Sequence, residues 1–277
     1  MTPLVFTLVT FAMSLAAGAL GSLLGLGGGI IVIPALTLLL GIDIRYAIGA
    51  SVVSVIATSS GAAAAYVRER LTNLRVAMLL EIGTTTGALT GAYLAGVLAG
   101  RWLYIIFGLV MGYSAIAMFR KGRGTAAVVP RDRLADRLRL HGSYRDEAVG
   151  QEIAYRVTHT LPGLALMYIA GMVSGLLGIG SGALKVPAMD LAMRLPIKVS
   201  TATSNFMIGV TAAASAGVYF ARGDIDPFVA APVAAGVVIG ATAGSYLLGR
   251  LQSRVIRIVF VAVLLWVSVE MLLRGVR

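Results

Sequence analysis

Shifted by 153 positions, the chain falls on itself without a gap, and this register constrains the fold more than any other feature of the sequence. "GLGGGIIVIP" at 25–34 lands on "GIGSGALKVP" at 178–187, so that Gly25, Gly27, Gly29 and Pro34 meet Gly178, Gly180, Gly182 and Pro187. Farther along, Arg45 falls on Lys198, Ser51 on Ser204 and Tyr66 on Tyr219. Gly83, Gly87, Gly91, Tyr93 and Arg101 fall on Gly236, Gly240, Gly244, Tyr246 and Arg254. A register held over about a hundred residues is the mark of a duplicated unit. The expected organisation is a first membrane half over 1–120, a basic linker over 121–160 and a second membrane half over 161–277.

Each half is mostly apolar. Hydrophobic residues make up 58% of the 277 and charged ones 13%, with a mean hydropathy of +0.90. That is more apolar surface than one soluble core can hide. Stretches near the ~17–25 residues needed to span a bilayer run over 4–24, 45–67, 75–98, 102–119, 161–178, 198–220, 227–248 and 255–273. Two shorter ones, 29–41 and 182–195, follow the glycine clusters. The expected fold is an all-α polytopic membrane protein of about 8–10 membrane segments. "MTPLVFTLVT" lacks the basic start of a signal peptide and is expected to stay in the mature chain. With no cysteine, disulfides and thiolate metal sites are excluded, and neither a metal nor a cofactor is expected.

Arginines read the orientation of the halves. "RERLTNLR" at 68–75 carries three Arg against one Glu, whereas its repeat mate "ARGDIDPF" at 221–228 carries one Arg against two Asp. The next loops reverse the bias: Arg101 stands alone, while its counterpart holds Arg250, Arg254 and Arg257. The linker, with Arg120, Lys121, Arg123, Arg131, Arg133, Arg137, Arg139 and Arg145, belongs on the cytoplasmic side. These signals fit inverted repeats with an odd number of crossings each. Arg274 and Arg277 dissent, and parallel repeats are the alternative.

Four glycines in a membrane helix need a reason, since each costs about 0.5–1 kcal/mol against Ala. Irregular backbone survives at membrane depth only where protein buries it or it lines a wet cavity. Two breaks in equivalent positions therefore predict one cavity. A helix that starts after a break presents free N–H groups and a partial positive charge, and two such starts converging make an anion site, as in transporters with discontinuous helices. The expected substrate-binding set is Gly25, Gly27, Gly28, Gly29 and Ser51 in the first half, with Gly178, Gly180, Ser181, Gly182, Lys185, Thr203, Ser204 and Asn205 in the second. Lys185, whose mate is Val32, is the expected countercharge, because a membrane-embedded Lys costs about 2.5–3.5 kcal/mol and is functional by default. A pair with Asp190 or snorkelling is the plainer alternative. The hydroxyls and amide of Ser51, Thr203, Ser204 and Asn205 donate without adding charge. Close helix packing is the rival account of the glycines.

The motifs "GLGGGIIVIP", "GIGSGALKVP" and "KVSTATSNFMIGVTAAASAG" resemble the paired signatures of the sulfite exporter TauE/SafE-type family, also called toluene-sulfonate uptake permeases. The resemblance covers both halves but not the linker. It implies a multi-pass carrier of the bacterial plasma membrane for small sulfur oxyanions or organosulfonates such as sulfite or sulfoacetate. Ser181 stands where the second copy often has Gly, and Lys185 where many relatives have an aliphatic residue.

Glu81 lies inside a membrane helix opposite Ala234 in the repeat; it either carries a proton for coupling or pairs with an arginine near the cytoplasmic surface. The Gly83, Gly87, Gly91 and Gly236, Gly240, Gly244 ladders pack the halves together or form a homodimer contact. The linker places Leu134, Leu138 and Leu140 at helical spacing, so it forms an amphipathic helix on membrane lipid or a solvated tether. The net charge of +11 sits at membrane edges and in this linker, with no base-stacking motif, which sets nucleic acid aside. An intramembrane serine hydrolase at Ser181 lacks a base, since the two histidines, His141 and His159, lie in the linker and at a membrane edge. An anion channel is the stronger rival to a carrier, because the same glycine breaks could line a pore.

Overall fold

The computed structural model describes residues 2–68, 70–120, 131–147, 150–248 and 251–276. Helix α1 (Pro3–Leu24) starts where Thr2 accepts the N–H of Val5 and Pro3 takes the first turn, a position that has no use for an N–H. It ends at Gly25, whose left-handed φ of 72° turns the chain. A short helix α2 (Gly29–Pro34) then runs into a wider π-helical stretch over Ala35–Leu39. Pro34 supplies no N–H and crowds the carbonyl one turn back, so the regular register cannot continue past it unchanged. Three long helices follow, α3 (Ile44–Arg68), α4 (Leu74–Val97) and α5 (Gly100–Arg120).

The same order recurs after the linker: α7 (Thr160–Leu177), α8 (Gly182–Pro187) with a π-helical stretch over Ala188–Ala192, α9 (Ile197–Ala221), α10 (Pro227–Leu248) and α11 (Ser253–Val276). Of the described helices, α1, α5, α7, α10 and α11 are long and apolar enough to cross a membrane. Helices α3, α4 and α9 are as long but more polar, and α3 and α9 pack together at the centre, where Ser59 Oγ donates to Asn205 O at 2.7 Å.

The glycine ladders join one half to the other. A Cβ on Gly236, Gly240 or Gly244 would lie 2.4, 1.9 and 2.3 Å from the carbonyl oxygens of Phe11, Leu15 and Ala19, so α10 lies backbone to backbone along α1, in parallel. Gly83, Gly87 and Gly91 of α4 lie likewise on Leu164, Tyr168 and Met172 of α7. These small-residue faces are used within the chain. Helix α5 pairs with α11, antiparallel, with Ser268 Oγ donating to Gly108 O at 2.7 Å.

The two ends of α4 identify the two ends of the bundle. At its head, Asn73 Nδ2 donates to Leu140 O of the linker at 2.8 Å. Near its tail, Ala92 O accepts from Arg222 Nη1, at the end of α9, at 2.7 Å. The loop before α4 and its repeat mate before α10 therefore lie at opposite ends.

The linker departs from both expectations for it. Among its described residues only Arg133–Arg137 forms a helix, α6, capped by Asp132 Oδ1, which accepts from Leu134 and Ala135. Strands β1 (Gly142–Asp146) and β2 (Gln151–Tyr155) then form an antiparallel hairpin, Gly142 facing Tyr155 and Asp146 facing Gln151. Leu140 and Tyr144 are buried while Leu138 is exposed, so the apolar residues serve a folded cap rather than a helix face on lipid. Within β1, Tyr144 and Asp146 point inward and Arg145 outward, the period of a strand. Residues 121–130, with Lys121 and Arg123, lie outside the described residues, as do Arg250 and Arg277.

Candidate functional site

The two glycine turns meet. In the first, Gly25, Gly27 and Gly28 take φ of 72°, 75° and 57°; in the second, Gly178, Gly180 and Ser181 take 65°, 75° and 59°. Such backbone is nearly free for glycine and strained for other residues, so Ser181 holds a conformation that its mate Gly28 adopts without cost. Between the turns there is no room for side chains: a Cβ on Gly182 would lie 2.1 Å from Gly25 O, and one on Gly29 would lie 2.3 Å from Ser51 Oγ and 3.5 Å from Gly178 O.

Two serines in equivalent positions clasp the turns across the halves. Ser51 Oγ on α3 donates to Gly178 O at 2.7 Å, and Ser204 Oγ on α9 donates to Gly25 O at 2.8 Å. Two tyrosines in equivalent positions hold the helix ends that lead in, Tyr66 OH donating to Ser22 O at 2.9 Å and Tyr219 OH to Leu176 O at 3.1 Å. Asn205 Nδ2 also donates to Ser22 O, while its Oδ1 is buried without a hydrogen bond. Thr203 Oγ1 instead accepts the N–H of Asn73, and Ser181 Oγ donates to Gly180 O at 2.6 Å. The structure thus brings Gly25, Gly27, Gly28, Gly29, Gly178, Gly180, Ser181, Gly182, Ser51, Ser204 and Asn205 together and leaves Thr203 facing the loop before α4. The donors expected to face an anion directly, Ser51 and Ser204, are spent on glycine carbonyls. The starts of α2 and α8, at Gly28 and Ser181, receive no side-chain cap.

Lys185 lies on α8 with its side chain fully buried and reaches partners on α9 and α4. Its Nζ donates to Thr211 Oγ1 at 2.6 Å and lies 3.7 Å from Glu81 Oε2. Thr211 in turn donates to Glu81 Oε1 at 2.6 Å, and Thr85 donates to the same oxygen at 3.0 Å. Glu81 Oε2 makes no hydrogen bond, and the Glu81 side chain, 14% exposed, reaches a groove of about 450 Å³ between α4 and α9 bordered by Thr85, Phe206 and Val210. Lys185 and Glu81 were each conspicuous as costly charges in a membrane, yet their union is a finding of the structure. Neither expected alternative holds: Glu81 pairs with Lys185 rather than an arginine, and Asp190 lies 3.0 Å from Arg257 Nη2. Thr211, the bridge between them, went unrecognised; its repeat mate Thr58 was the available signal.

The histidines lie elsewhere. His141 Nε2 is 2.8 Å from Asp136 and its Nδ1 accepts from Val157 N, while His159 Nδ1 is 3.1 Å from Ala192 O. Ser181 has neither ring among its hydrogen-bond partners.

The profile of the sulfite exporter TauE/SafE family matches residues 10–271, both halves and the linker together. The chain belongs to that family. Relatives of similar length include the probable membrane transporter protein YunE of Bacillus subtilis, 26% identical over 275 residues and covering 97% of this chain and 98% of that one. A probable membrane transporter protein of Xylella fastidiosa (strain 9a5c) is 29% identical over 257 residues, 90% of this chain and 89% of that one. YdhB of Bacillus subtilis, also a probable membrane transporter protein, is 25% identical over 239 residues, 86% and 87% of the two chains. No solved structure matches. With its apolar helices, this TauE/SafE member is a multi-pass membrane transporter of the bacterial plasma membrane.

Proposed function

We propose that the protein carries a small sulfur oxyanion or organosulfonate, such as sulfite or sulfoacetate, through the junction of the Gly25–Gly29 and Gly178–Gly182 turns, with Lys185 as countercharge and Glu81 as the proton carrier that releases it. The observation that carries this reading is the buried Lys185–Thr211–Glu81 chain beside one of the two turns. At rest the lysine and carboxylate cancel. When Glu81 takes a proton, Lys185 is left as an uncompensated buried cation, which is costly until an anion joins it. One proton and one monovalent anion entering together keep the buried charge at zero, which is the electrical logic of symport. It also supplies the coupling that anion import against a negative interior requires.

Two further features support the reading. The backbone at the junction is buried in protein, Leu26, Ile30, Ile179 and Ala183 included, which favours a carrier in a closed state over an open channel. The opposed positions of the loops before α4 and α10 support inverted repeats, with the arginine-rich loop and the linker on the cytoplasmic side.

Calorimetry in detergent with sulfite, sulfoacetate, taurine, sulfate and chloride tests it, on wild type, Lys185→Met, Glu81→Gln and the double variant. Lys185→Met alone strands a buried carboxylate and is expected to lose about 3–5 kcal/mol of stability, so the double variant is the fair test of binding. We expect saturable binding of one sulfur anion in wild type, retained and less pH-dependent in Glu81→Gln, and absent in the double variant. Equal binding in the double variant and wild type would remove Lys185 from the site.

A further inference from the structure

The two ends of the bundle are not equivalent, although their elements are. From the glycine junction toward the linker, Asn205, Thr201 and Lys198 follow one face of α9, with Ser200 on its flank, all buried. Thr201 packs directly on Gly25, and Ser200 Oγ, Thr201 Oγ1 and Asn205 Oδ1 are buried without a hydrogen-bond partner. Three polar atoms in that condition on one stretch of helix are costly to keep unless something else uses them. The repeat mates on α3 are Val52, Ile48 and Ala47, which are apolar, so the duplicated architecture does not require polar groups here.

At the end of this track stands a carboxylate that belongs to the linker. Asp146, the last residue of β1, lies 2.7 Å from Lys198 Nζ, with both side chains almost wholly buried. The hairpin that brings it is fastened: Tyr144 OH donates to Asp146 Oδ2 at 3.3 Å, and Asn73 Nδ2 donates to Tyr155 OH at 2.9 Å. Arg45, the mate of Lys198, is uncovered at the opposite end, on a pocket of about 280 Å³ that it shares with Arg222 and Asp224.

We infer that Lys198 and Thr201 form a second anion-binding station on the linker side of the path, and that Asp146 fills it with the chain's own carboxylate, making the hairpin a lid. A carboxylate and a small oxyanion offer a lysine the same thing, charged oxygens at hydrogen-bonding distance. The departing anion and Asp146 therefore compete for one cation, and the lid opens when the anion takes Lys198. The inference rests on the proposal that the glycine junction is the transport site.

Because the chain has no cysteine, Thr201→Cys creates a single thiol. Its modification by an anionic alkylsulfonate methanethiosulfonate is followed in inside-out vesicles. Slow modification is expected when Asp146 is present, with a rise of about tenfold or more in Asp146→Asn as the local opening becomes more populated. Sulfoacetate, which does not react with the reagent, is expected to slow that faster reaction. Exchanging the charges, Asp146→Lys with Lys198→Asp, is expected to restore the slow rate. An unchanged rate in Asp146→Asn, or a fast rate in the exchanged pair, overturns the lid. Should Asp146→Asn fail to fold, an Asp146→Cys, Lys198→Cys pair decides: oxidation is expected to stop transport and a reductant to restore it, and unaltered transport after oxidation overturns the lid. If the unmodified protein moves no sulfur anion, the transport proposal fails, while the labelling rates still decide whether the hairpin closes over Thr201.

Discussion

Gly29 and Gly182 are where single atoms decide whether the two turns can meet. A methyl on Gly182 would overlap Gly25 O at 2.1 Å, and one on Gly29 would overlap Ser51 Oγ at 2.3 Å, inside a region with nowhere to give. Alanine at either position is expected to cost about 1–3 kcal/mol by overpacking and to abolish transport. Gly217 on α9 has nothing within 4 Å of its Cβ position, so Gly217→Ala should be neutral or stabilising by up to about 1 kcal/mol. Thermal unfolding in detergent beside uptake in proteoliposomes distinguishes the cases, and a tolerated Gly182→Ala would refute the packing described. Much of this was legible in the sequence, because a repeated glycine before a repeated proline points to a repeated backbone event. What Lys185 does was not legible. Glu81 is distant along the chain, the repeat mates of both are apolar, and no local pattern encodes an ion pair that forms only when α4 and α8 are brought to α9.

At the scale of elements, apolar run length placed every long helix to within a few residues, since a membrane helix is specified by a property that simply accumulates along the chain. The linker shows where that rule ends. Leu134, Leu138 and Leu140 suit a helix by spacing, yet α6 stops at Arg137, Arg139 turns the chain with a left-handed φ of 50°, and the backbone extends after Leu140 because Tyr144 and Asp146 find buried partners with a strand's period. Alternation over five residues is too short a signal to read against a basic, polar background. One anchor of this cap is sensitive to acid. Burial pushes the Asp132 carboxyl up, but the N–H groups of Thr160, Ala135 and Leu134 outweigh it and hold the carboxyl below its ordinary value of 3.8. Its contribution to the docked linker is therefore present above that value and fades as the pH falls through it. Proteolysis of the linker in detergent is expected to accelerate as the pH falls below about 4, and Asp132→Asn should remove most of that acceleration. Equal acceleration in both would show that another group governs it.

For the molecule as a whole, the proposed orientation puts α1, α10 and α5 with their starts outside and the linker inside. Single cysteines read this directly. Arg45→Cys is expected to react with an impermeant maleimide in intact cells, and Ser143→Cys only after permeabilisation; reaction of both in intact cells would refute the orientation. The interlocking of helices carries a different consequence. The glycine ladder of α4 is covered by α7, and that of α10 by α1, so each half completes the other and neither is whole. One copy alone would leave a strip of bare backbone with no helix to lie against it. A half-length chain would have to bury that strip against a second copy of itself, its α4 ladder lying along the other copy's α1, which is the equivalent of α7.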